Sequence, residues 1–312
     1  MNRKAFIAKY GRDAWDAMQW VKRYERIGEK RDGGLSGPWV TSKKSAKIYK
    51  GLMKKVSVEM RIHYKSTLEQ MTPEQFREVL QRFSGELTQG SLDNMRVAGQ
   101  KGFGQMAKHS DQKFDRVKST VDQILKARAY SNEAIKVIHN NGLSEKHKLS
   151  VEVIAVGGPR TADLFTLRRI EEQPRSERDQ VELYPDKLGW VPYTVHGKGG
   201  MIYTVMLPKE LSDRVEATRI DPREYKDRGI KSDPRYPQVY NLVCGQALST
   251  AFTRASHKTL GFSNGIHGLR HSYAQRRMHE LAKLGHDRDQ ALLVVSQEMG
   301  HIRPEITEVY LR

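Results

Sequence analysis

The chain has 312 residues, and 54 Lys and Arg against 37 Asp and Glu give it a formal charge of +17. Its 38% hydrophobic and 29% charged residues fit a globular protein, and its length predicts two domains. The cationic excess predicts a polyanionic partner, either nucleic acid or an anionic membrane surface. Apolar runs such as residues 291–295 are much shorter than the roughly 20 residues of a membrane span, so nucleic acid is favoured.

Cysteine content and the N-terminal segment indicate the cellular compartment. The single cysteine, Cys244, excludes an intramolecular disulfide and a cysteine-rich metal site. Charged residues interrupt the N-terminal segment early, so we expect no signal peptide. These features favour a cytoplasmic protein, associated with the nucleoid if its partner is DNA.

Most of the excess charge lies in the N-terminal part. Residues 1–140 carry 28 Lys and Arg against 15 Asp and Glu, a net charge of +13, whereas residues 141–312 carry +4. The densest basic stretch predicts a helix with one lysine face and one apolar face. The apolar face consists of Ile48, Leu52, Val56 and Met60. We predict that the basic face binds DNA phosphates, although a solvated lysine face explains the helix equally well. The lysines predicted to bind DNA on this basic face are Lys43, Lys44, Lys47, Lys50 and Lys54.

The first 140 residues predict a basic, helical domain. Apolar residues recur at three- and four-residue intervals, and Thr72 followed by Pro73 is typical of a helix start. The predicted helices span residues 4–27, about 41–64, a stretch from 72, 91–109 and 112–128. Asn140-Asn141-Gly142 is a strong turn signal and predicts the boundary, so that the domains span residues 1–140 and 141–312.

Strand signals are concentrated in the second part of the chain. Strands are predicted at Val181–Tyr184, Trp190–Val195 and Met201–Leu207, with a Gly-rich turn at residues 197–200 between the last two. Helices are predicted at about 208–217, 241–258, 267–284 and 287–299, with a short one from Pro304. The second domain is therefore expected to be α+β, helical with a small antiparallel sheet.

Imidazole and guanidinium groups recur in the last 48 residues. His267 and Arg270 share one face at a helix start, where together they provide a good grip on a phosphate oxygen. His301 lies in a tight turn, and Tyr310 at the far end of the following short helix. Taken alone, each has an ordinary explanation, as an exposed helix end or as amphipathic packing.

Two upstream residues complete the set. Arg160 follows a Gly-Gly-Pro break just before an apolar run, where a buried arginine needs a phosphate or a carboxylate such as Asp163. Lys198 occupies the turn of the predicted hairpin, where an ordinary exposed lysine is the alternative. That turn is not a P-loop, because it lacks the G-x-x-x-x-G-K-[ST] spacing.

In chain order these residues resemble the active-site series of the tyrosine recombinase (phage integrase) family. Residues 157–167 resemble its Gly-x-x-Arg-x-x-Glu-Leu-x-x-Leu box, with Asp163 in place of Glu, and residues 267–274 resemble its His-x-Leu-Arg-His-Ser-x-Ala box. The resemblance covers about residues 145–312. It implies a protein that is mainly α with a small antiparallel β-sheet, with an N-terminal helical core-binding (SAM-like) domain and an α+β catalytic domain. The matching residues are Arg160, Lys198, His267, Arg270, His301 and Tyr310.

The resemblance also implies a chemistry. Tyr310 would attack a scissile phosphodiester to form a 3′-phosphotyrosyl bond, with His267 or His301 as the proton acceptor. The two arginines would stabilise the transition state, and Lys198 would protonate the leaving 5′ oxygen. Because the covalent bond conserves the energy of the phosphodiester, no cofactor and no metal are expected.

The implied function is site-specific recombination through a Holliday junction, for integration or excision of a mobile element. Its expected partners are a double-stranded DNA site, three further copies of the chain in a homotetramer, and accessory directionality factors. A type IB topoisomerase-like enzyme with the same residues and a non-enzymatic basic DNA-binding protein are the alternatives.

Two departures from the family pattern qualify these expectations. The long interval before Lys198 predicts an insertion at residues 171–179 and keeps Lys187 and Lys209 open as alternatives for the catalytic lysine. Many family members carry a C-terminal helix that docks on a neighbouring protomer, whereas only Leu311 and Arg312 follow Tyr310 here. Protomers are therefore expected to contact each other in another way, unless the chain was cut.

Overall fold

The computed structural model describes residues 2–26, 39–40, 42–109, 111–122, 126–180, 185–197, 200–227, 230–231 and 237–312. The chain divides into two compact units, Met1–Ile124 and Leu125–Arg312. Residues 140–142, where the sequence predicts the boundary, lie in the second unit within a π-helical turn, Ile138–Gly142. The prediction of a mainly helical protein with small antiparallel sheets is confirmed.

The first unit is helical in its described part. Helix α4 begins where the sequence predicts, because Thr72 and Gln75 form a capping box around Pro73. Short 3-10 helices lie at Phe83–Gly85 and Ala107–His109. The α-helices are α1 (Arg3–Tyr10), α2 (Arg12–Lys22), α3 (Lys43–Tyr64), α4 (Pro73–Arg82) and α5 (Gln89–Phe103).

Large side chains fill the core of this unit where two glycines let α5 approach closely. Trp20, Phe76 and Phe103 are at most 1% exposed. A Cβ atom added at Gly99 would lie 2.0 Å from the Phe76 ring, and one at Gly102 would lie 2.1 Å from Trp20. These two positions therefore require glycine for dense packing.

Two predicted helices of this unit differ from the structure. The helix expected at residues 4–27 is split at Gly11, whose φ of +88° is incompatible with a continuous helix. The helix expected at residues 112–128 is absent from its described residues. Side chains satisfy the hydrogen bonds of the peptide groups there. The Gln89 side chain donates to the Val117 carbonyl (3.0 Å) and accepts from the Ser119 amide (2.9 Å). Such bonds replace the internal ladder of a helix.

The second unit combines helices with short strands. Strands β1, β2 and β3 form an antiparallel sheet in that order, with Tyr193 opposite Val205, while β4 pairs with β7 and β5 with β6. The strand predicted at residues 181–184 lies outside the described residues. The helices are α6 (Asn132–Val137), α7 (Glu145–Gly157), α8 (Lys209–Glu216), α9 (Gly245–Leu260), α10 (Gly268–Lys283) and α11 (Arg288–Glu298), followed by a 3-10 helix (Pro304–Tyr310). The strands are β1 (Arg168–Arg169), β2 (Val191–His196), β3 (Ile202–Leu207), β4 (Arg219–Arg223), β5 (Lys226–Asp227), β6 (Ile230–Lys231) and β7 (Gln238–Tyr240).

The core of the second unit lies between the sheet and the helices. Tyr193 and Tyr203 from the sheet and Leu248 and Phe252 from α9 are all fully buried. In the ranges described above, no helix combines the length and the apolar composition needed to cross a bilayer.

Candidate active site

Arg160 lies in the turn that ends helix α7. Gly158 caps this helix in the left-handed conformation, with φ of +75°. The buried carboxylate of Asp163 accepts hydrogen bonds from the Arg160 amide (3.0 Å) and from the Tyr203 hydroxyl (2.7 Å). Its Oδ2 lies 3.6 Å from Nη1 of Arg160, whose side chain remains 25% exposed. Asp163 therefore fixes the turn while part of the Arg160 side chain stays accessible.

Arg270 is a buried cation held by main-chain carbonyl groups. It is 1% exposed, and it donates from Nη1 to the Gly158 carbonyl and from Nη2 to the Met299 carbonyl (3.1 Å). Within the described ranges no carboxylate pairs with Arg270, and its Nε has no hydrogen-bond partner. A buried guanidinium with a free donor is well suited to bind an anion.

The electrostatics keep Arg270 charged. Burial alone would lower its pKa, but Tyr203, Tyr310 and Asp163 raise the pKa above its ordinary value. The guanidinium group that carries the unused Nε donor is therefore positively charged at neutral pH.

His301 follows Gly300, as the sequence predicts, and is 5% exposed. Its Nε2 lies 3.4 Å from Nη2 of Arg270, and its Nδ1 lies 2.9 Å from the Thr307 hydroxyl. Because a guanidinium only donates, Nε2 must accept and Nδ1 must carry the proton. This contact therefore assigns the tautomer of His301.

Three imidazole rings surround the ring of Tyr310. The ring centres of His267, His271 and His301 lie 5.3, 4.8 and 5.4 Å from that of Tyr310. Tyr310 is 8% exposed, whereas His267 is exposed. The segments from α10, from the turn after α11 and from the last 3-10 helix therefore meet at this tyrosine.

The two candidate proton acceptors are neutral at pH 7. Burial, followed by the charge of Arg270, lowers the pKa of His267 to about 4. Burial, followed by Arg270 and Arg160, lowers the pKa of His301 to about 3. Both imidazoles are therefore unprotonated bases at neutral pH, but the Nε2 lone pair of His301 already accepts from Arg270.

Three residues that the sequence did not single out also belong to this neighbourhood. Gln275 of α10 donates from Nε2 to the main-chain oxygens of Tyr310 (3.3 Å) and Arg312 (3.0 Å). Burial, followed by the charge of Arg128, lowers the pKa of His271. Arg128 lies next to α10, since a Cβ atom at Gly268 would be 2.5 Å from its carbonyl oxygen. Only His271 had a sequence signal, as the second histidine of the box at residues 267–274.

The lysine of the predicted series is not settled by the geometry. Lys198 lies outside the described residues. Lys187 is buried against Glu298, with 2.7 Å between Nζ and Oε1, and Lys209 pairs with Asp213 at 2.8 Å on the exposed face of α8. Neither pairing favours these two alternatives, so Lys198 stays the predicted lysine.

The basic face of α3 is largely accessible. Ile48, expected on the apolar face, is 41% exposed, whereas Leu52, Val56 and Met60 are buried as predicted. Lys50 pairs with Glu25 at 2.8 Å, which reduces its availability for phosphate. The other predicted lysines are exposed, and no ion pair holds them within the described part of the chain: Lys43, Lys44, Lys47 and Lys54.

Metal ligation finds no support in the side-chain arrangement. Among the residues that the structure describes, no group of three or more His, Cys, Asp or Glu side chains is placed to hold a metal ion.

Comparison with known proteins places this architecture in one class. No family model and no curated protein matches the sequence. Solved structures do match, and the chain has the fold of the tyrosine recombinases.

Three solved structures illustrate the similarity. The XerH site-specific recombinase bound to difH substrate in a pre-cleavage complex shares 16% identity over 96% of this chain and 93% of its own, with a TM-score of 0.52. A lambda integrase dimer bound to a COC′ core site shares 16% identity over 94% of each chain, with a TM-score of 0.53. A lambda integrase tetramer bound to a Holliday junction shares 16% identity over 94% of this chain and 76% of its own, with a TM-score of 0.53.

Proposed function

We propose that the chain is a site-specific DNA recombinase that cleaves and rejoins DNA strands through Tyr310. One observation carries the proposal. Arg270 is a buried cation with an unused donor and no carboxylate partner in the described part of the chain, and its guanidinium lies beside Tyr310. A tyrosine nucleophile next to a preorganised anion site is what phosphodiester transesterification requires.

In the first step the Tyr310 oxygen bonds to phosphorus and the bond from phosphorus to the 5′ oxygen breaks. The tyrosine proton passes to neutral His267, and Lys198 protonates the leaving oxygen. Arg160 and Arg270 bind the non-bridging oxygens as their negative charge grows. The 3′-phosphotyrosyl bond keeps the energy of the original linkage, so the 5′ hydroxyl of a second strand reverses the step without a further energy source.

His301 has a different role in this proposal. Its Nδ1 proton is engaged by Thr307 and its Nε2 faces Arg270, so it orients the guanidinium and shares the phosphate site. Arg128 adds positive potential at the same edge of α10.

The proposal extends to the assembly. Four copies of the chain would hold two duplex sites and exchange strands through a Holliday junction, in the integration or excision of a mobile element in the nucleoid. Accessory factors would set the direction. The lambda integrase tetramer on a Holliday junction, with the same fold, supports this part of the proposal. The lysines of the first unit would supply salt-dependent, sequence-tolerant affinity.

Covalent capture tests the proposal and locates the DNA site in the same experiment. The full chain is incubated with sheared genomic DNA of its source, protein–DNA adducts are isolated under denaturing conditions, and the attached DNA is sequenced. We expect adducts at a defined sequence with the parent chain and none with Tyr310→Phe, which should still bind DNA. An adduct with Tyr310→Phe would refute the assignment of the nucleophile.

The alternatives give different outcomes. A type IB topoisomerase-like enzyme would relax supercoiled plasmids of any sequence, with adducts spread over the DNA. A non-enzymatic DNA-binding protein would retain DNA on a native gel and form no adduct. Either result would reject site-specific recombination.

A further inference from the structure

A buried ionic network lies behind the candidate site. Its centre is the carboxylate of Glu298, which accepts hydrogen bonds from Lys187 Nζ (2.7 Å), the Tyr273 hydroxyl (2.7 Å) and two nitrogens of Arg277 (2.9 and 3.0 Å). Arg277 also pairs with Asp186 at 2.9 Å. The side chains of Lys187, Arg277 and Glu298 are 3%, 5% and 2% exposed.

The central carboxylate of the network keeps its charge in spite of burial, while burial lowers the pKa of the Lys187 ammonium group. Burial alone would raise the pKa of Glu298, but Lys187 and Arg277 lower it below its ordinary value. Replacing a buried ion group by apolar side chains of similar volume is often neutral for stability, whereas removing one partner leaves an uncompensated charge. Stability alone therefore does not account for placing these charges in the core.

The position of the network, beside the groups that hold Arg270, gives a better explanation for these buried charges. The guanidinium of Arg270 is held by two carbonyl groups, those of Gly158 and Met299. Tyr273 packs against the first, since a Cβ atom at Gly158 would lie 2.7 Å from its ring. Glu298 directly precedes the second and lies three residues before His301. Both supports of Arg270 therefore contact or adjoin a member of the network.

The network also fixes a third segment. Asp186 and Lys187 belong to a 3-10 turn, Pro185–Lys187, which precedes β2. Through Arg277 and Tyr273, this turn is tied to α10 and to the end of α11. These are the segments from which His267, Arg270 and His301 project.

We propose that Glu298, with Lys187, Arg277 and Tyr273, is a positioning network that sets the placement of Arg270 and His301 for strand cleavage. The proposal rests on the proposed function. All four side chains are buried, so the proposal gives them no direct contact with DNA. Misplacement by about 1 Å costs on the order of 10²-fold in rate, so a loosened network lowers the cleavage rate without weakening DNA binding.

The main test separates positioning from stability. In the triple variant Lys187→Met, Arg277→Met and Glu298→Leu, all three charges of the central triad are removed together, and Asp186, whose side chain is 19% exposed, loses a cationic partner. We expect thermal unfolding and DNA affinity near those of the parent, but single-turnover cleavage at saturating DNA lower by about 10- to 100-fold. The matched control is the ion pair of Glu145 and Lys148 on α7, whose side chains are 87% and 20% exposed, changed as Glu145→Gln and Lys148→Met, which should cleave like the parent. A triple variant that folds and cleaves at the parent rate would overturn the proposal.

Tyr273→Phe provides a milder variant that keeps every charge and removes only the hydroxyl between Lys187 and Glu298. It should lower the cleavage rate at saturating DNA with unchanged affinity. A loss of affinity with an unchanged cleavage rate would contradict a positioning role.

A second readout does not depend on activity. Nitrogen NMR of the His301 ring should show one tautomer, protonated at Nδ1, in the parent, and a mixture in the triple variant and in Tyr273→Phe. An unchanged His301 spectrum in both variants would overturn the positioning proposal. If the parent forms no adduct with any DNA, the proposed function fails, while the spectra still decide whether the network sets His301.

Discussion

The guanidinium carbon of Arg270 lies 5.4 Å from the centre of the Tyr310 ring. The two residues come from α10 and the last 3-10 helix, and they are 40 positions apart in the sequence. A cation over an aromatic face attracts it, so Arg270 holds the candidate nucleophile and faces the candidate phosphate site at once. Its contribution to catalysis should therefore depend on its fork-shaped donors as well as on its charge.

Arg270→Lys tests this dependence. Lysine keeps the charge but cannot donate to two carbonyl groups and a phosphate oxygen in fixed directions. We expect the cleavage rate to fall by about 10²- to 10³-fold, as for loss of a transition-state donor, with DNA affinity nearly unchanged. Rapid-quench measurement of the covalent adduct at saturating DNA gives the rate. Circular dichroism checks that the variant is folded, and a rate within a few-fold of the parent would contradict the assignment.

Acid should destabilise the second unit through His301. Its pKa is lowered to about 3 in the folded chain, against about 6.5 when unfolded, so between these values the unfolded state binds more protons. The contribution of neutral His301 to the free energy of unfolding is therefore complete above about pH 6.5. It decreases as the pH drops through this window, by about 2 kcal/mol at pH 5. Urea unfolding at about pH 7.5 and pH 5 measures the change.

Two histidine variants identify the source of that acid effect. His301→Gln should reduce the difference in unfolding free energy between the two pH values by most of this amount. His257→Gln, at an exposed position of α9, should leave the difference as in the parent. An equal pH dependence in the parent and in His301→Gln would assign the acid effect to other groups.

The proton donor to the leaving group can be identified by changing the leaving atom. We expect Lys198→Ala to cleave ordinary DNA slowly and to recover on DNA with sulfur in place of the scissile 5′ oxygen. A thiolate leaves without a proton because the pKa of a thiol is near 8.5. Lys209→Ala, whose lysine pairs with Asp213, should show neither the loss nor the recovery. Recovery of Lys209→Ala instead would transfer the role to that lysine.

Sequence reasoning reached the parts of the fold that have local signals. Capping at Thr72 and the strand signals at residues 190–195 and 201–207 predict the observed α4, β2 and β3. The sequence does not predict the non-helical segment after residue 111, because its peptide groups bond to side chains from elsewhere in the first unit, such as Gln89. Helix propensity is a local property of the sequence and does not predict such bonds.

The candidate site also divides into residues that the sequence predicts and supporting contacts that it does not predict. The order and spacing of Arg160, His267, Arg270, His301 and Tyr310 can be read from the chain, and all five except Arg160 meet at the Tyr310 ring or the Arg270 guanidinium. The residues that hold these side chains in place are distant in sequence, make polar contacts, and belong to no recognisable motif. Glu298 has no such signal either, since it follows the polar residues Ser296 and Gln297 at the end of α11 and its partners are 21 and 111 positions away.

Gln275 should hold the main chain of Tyr310 in place. Gln275→Leu has similar volume but lacks the two amide hydrogen bonds to the last residues. We expect a cleavage rate about tenfold lower with unchanged DNA affinity, because the nucleophile samples more positions. Burst kinetics on a nicked substrate measure this rate. The matched change Gln246→Leu on α9 should have no effect, and an unchanged rate for Gln275→Leu would show that other contacts suffice.

The salt dependence of DNA binding should distinguish two neighbouring lysines of α3. Lys47 is exposed, with no ion pair in the described part of the chain, whereas Lys50 pairs with Glu25. Each lysine that neutralises one phosphate contributes about 0.9 to the slope of log affinity against log salt concentration. Lys47→Gln should therefore reduce the slope by about one, and Lys50→Gln should change it little. Fluorescence anisotropy over a salt series measures both slopes, and equal slopes in the parent and Lys47→Gln would place the DNA contact on another surface of the chain.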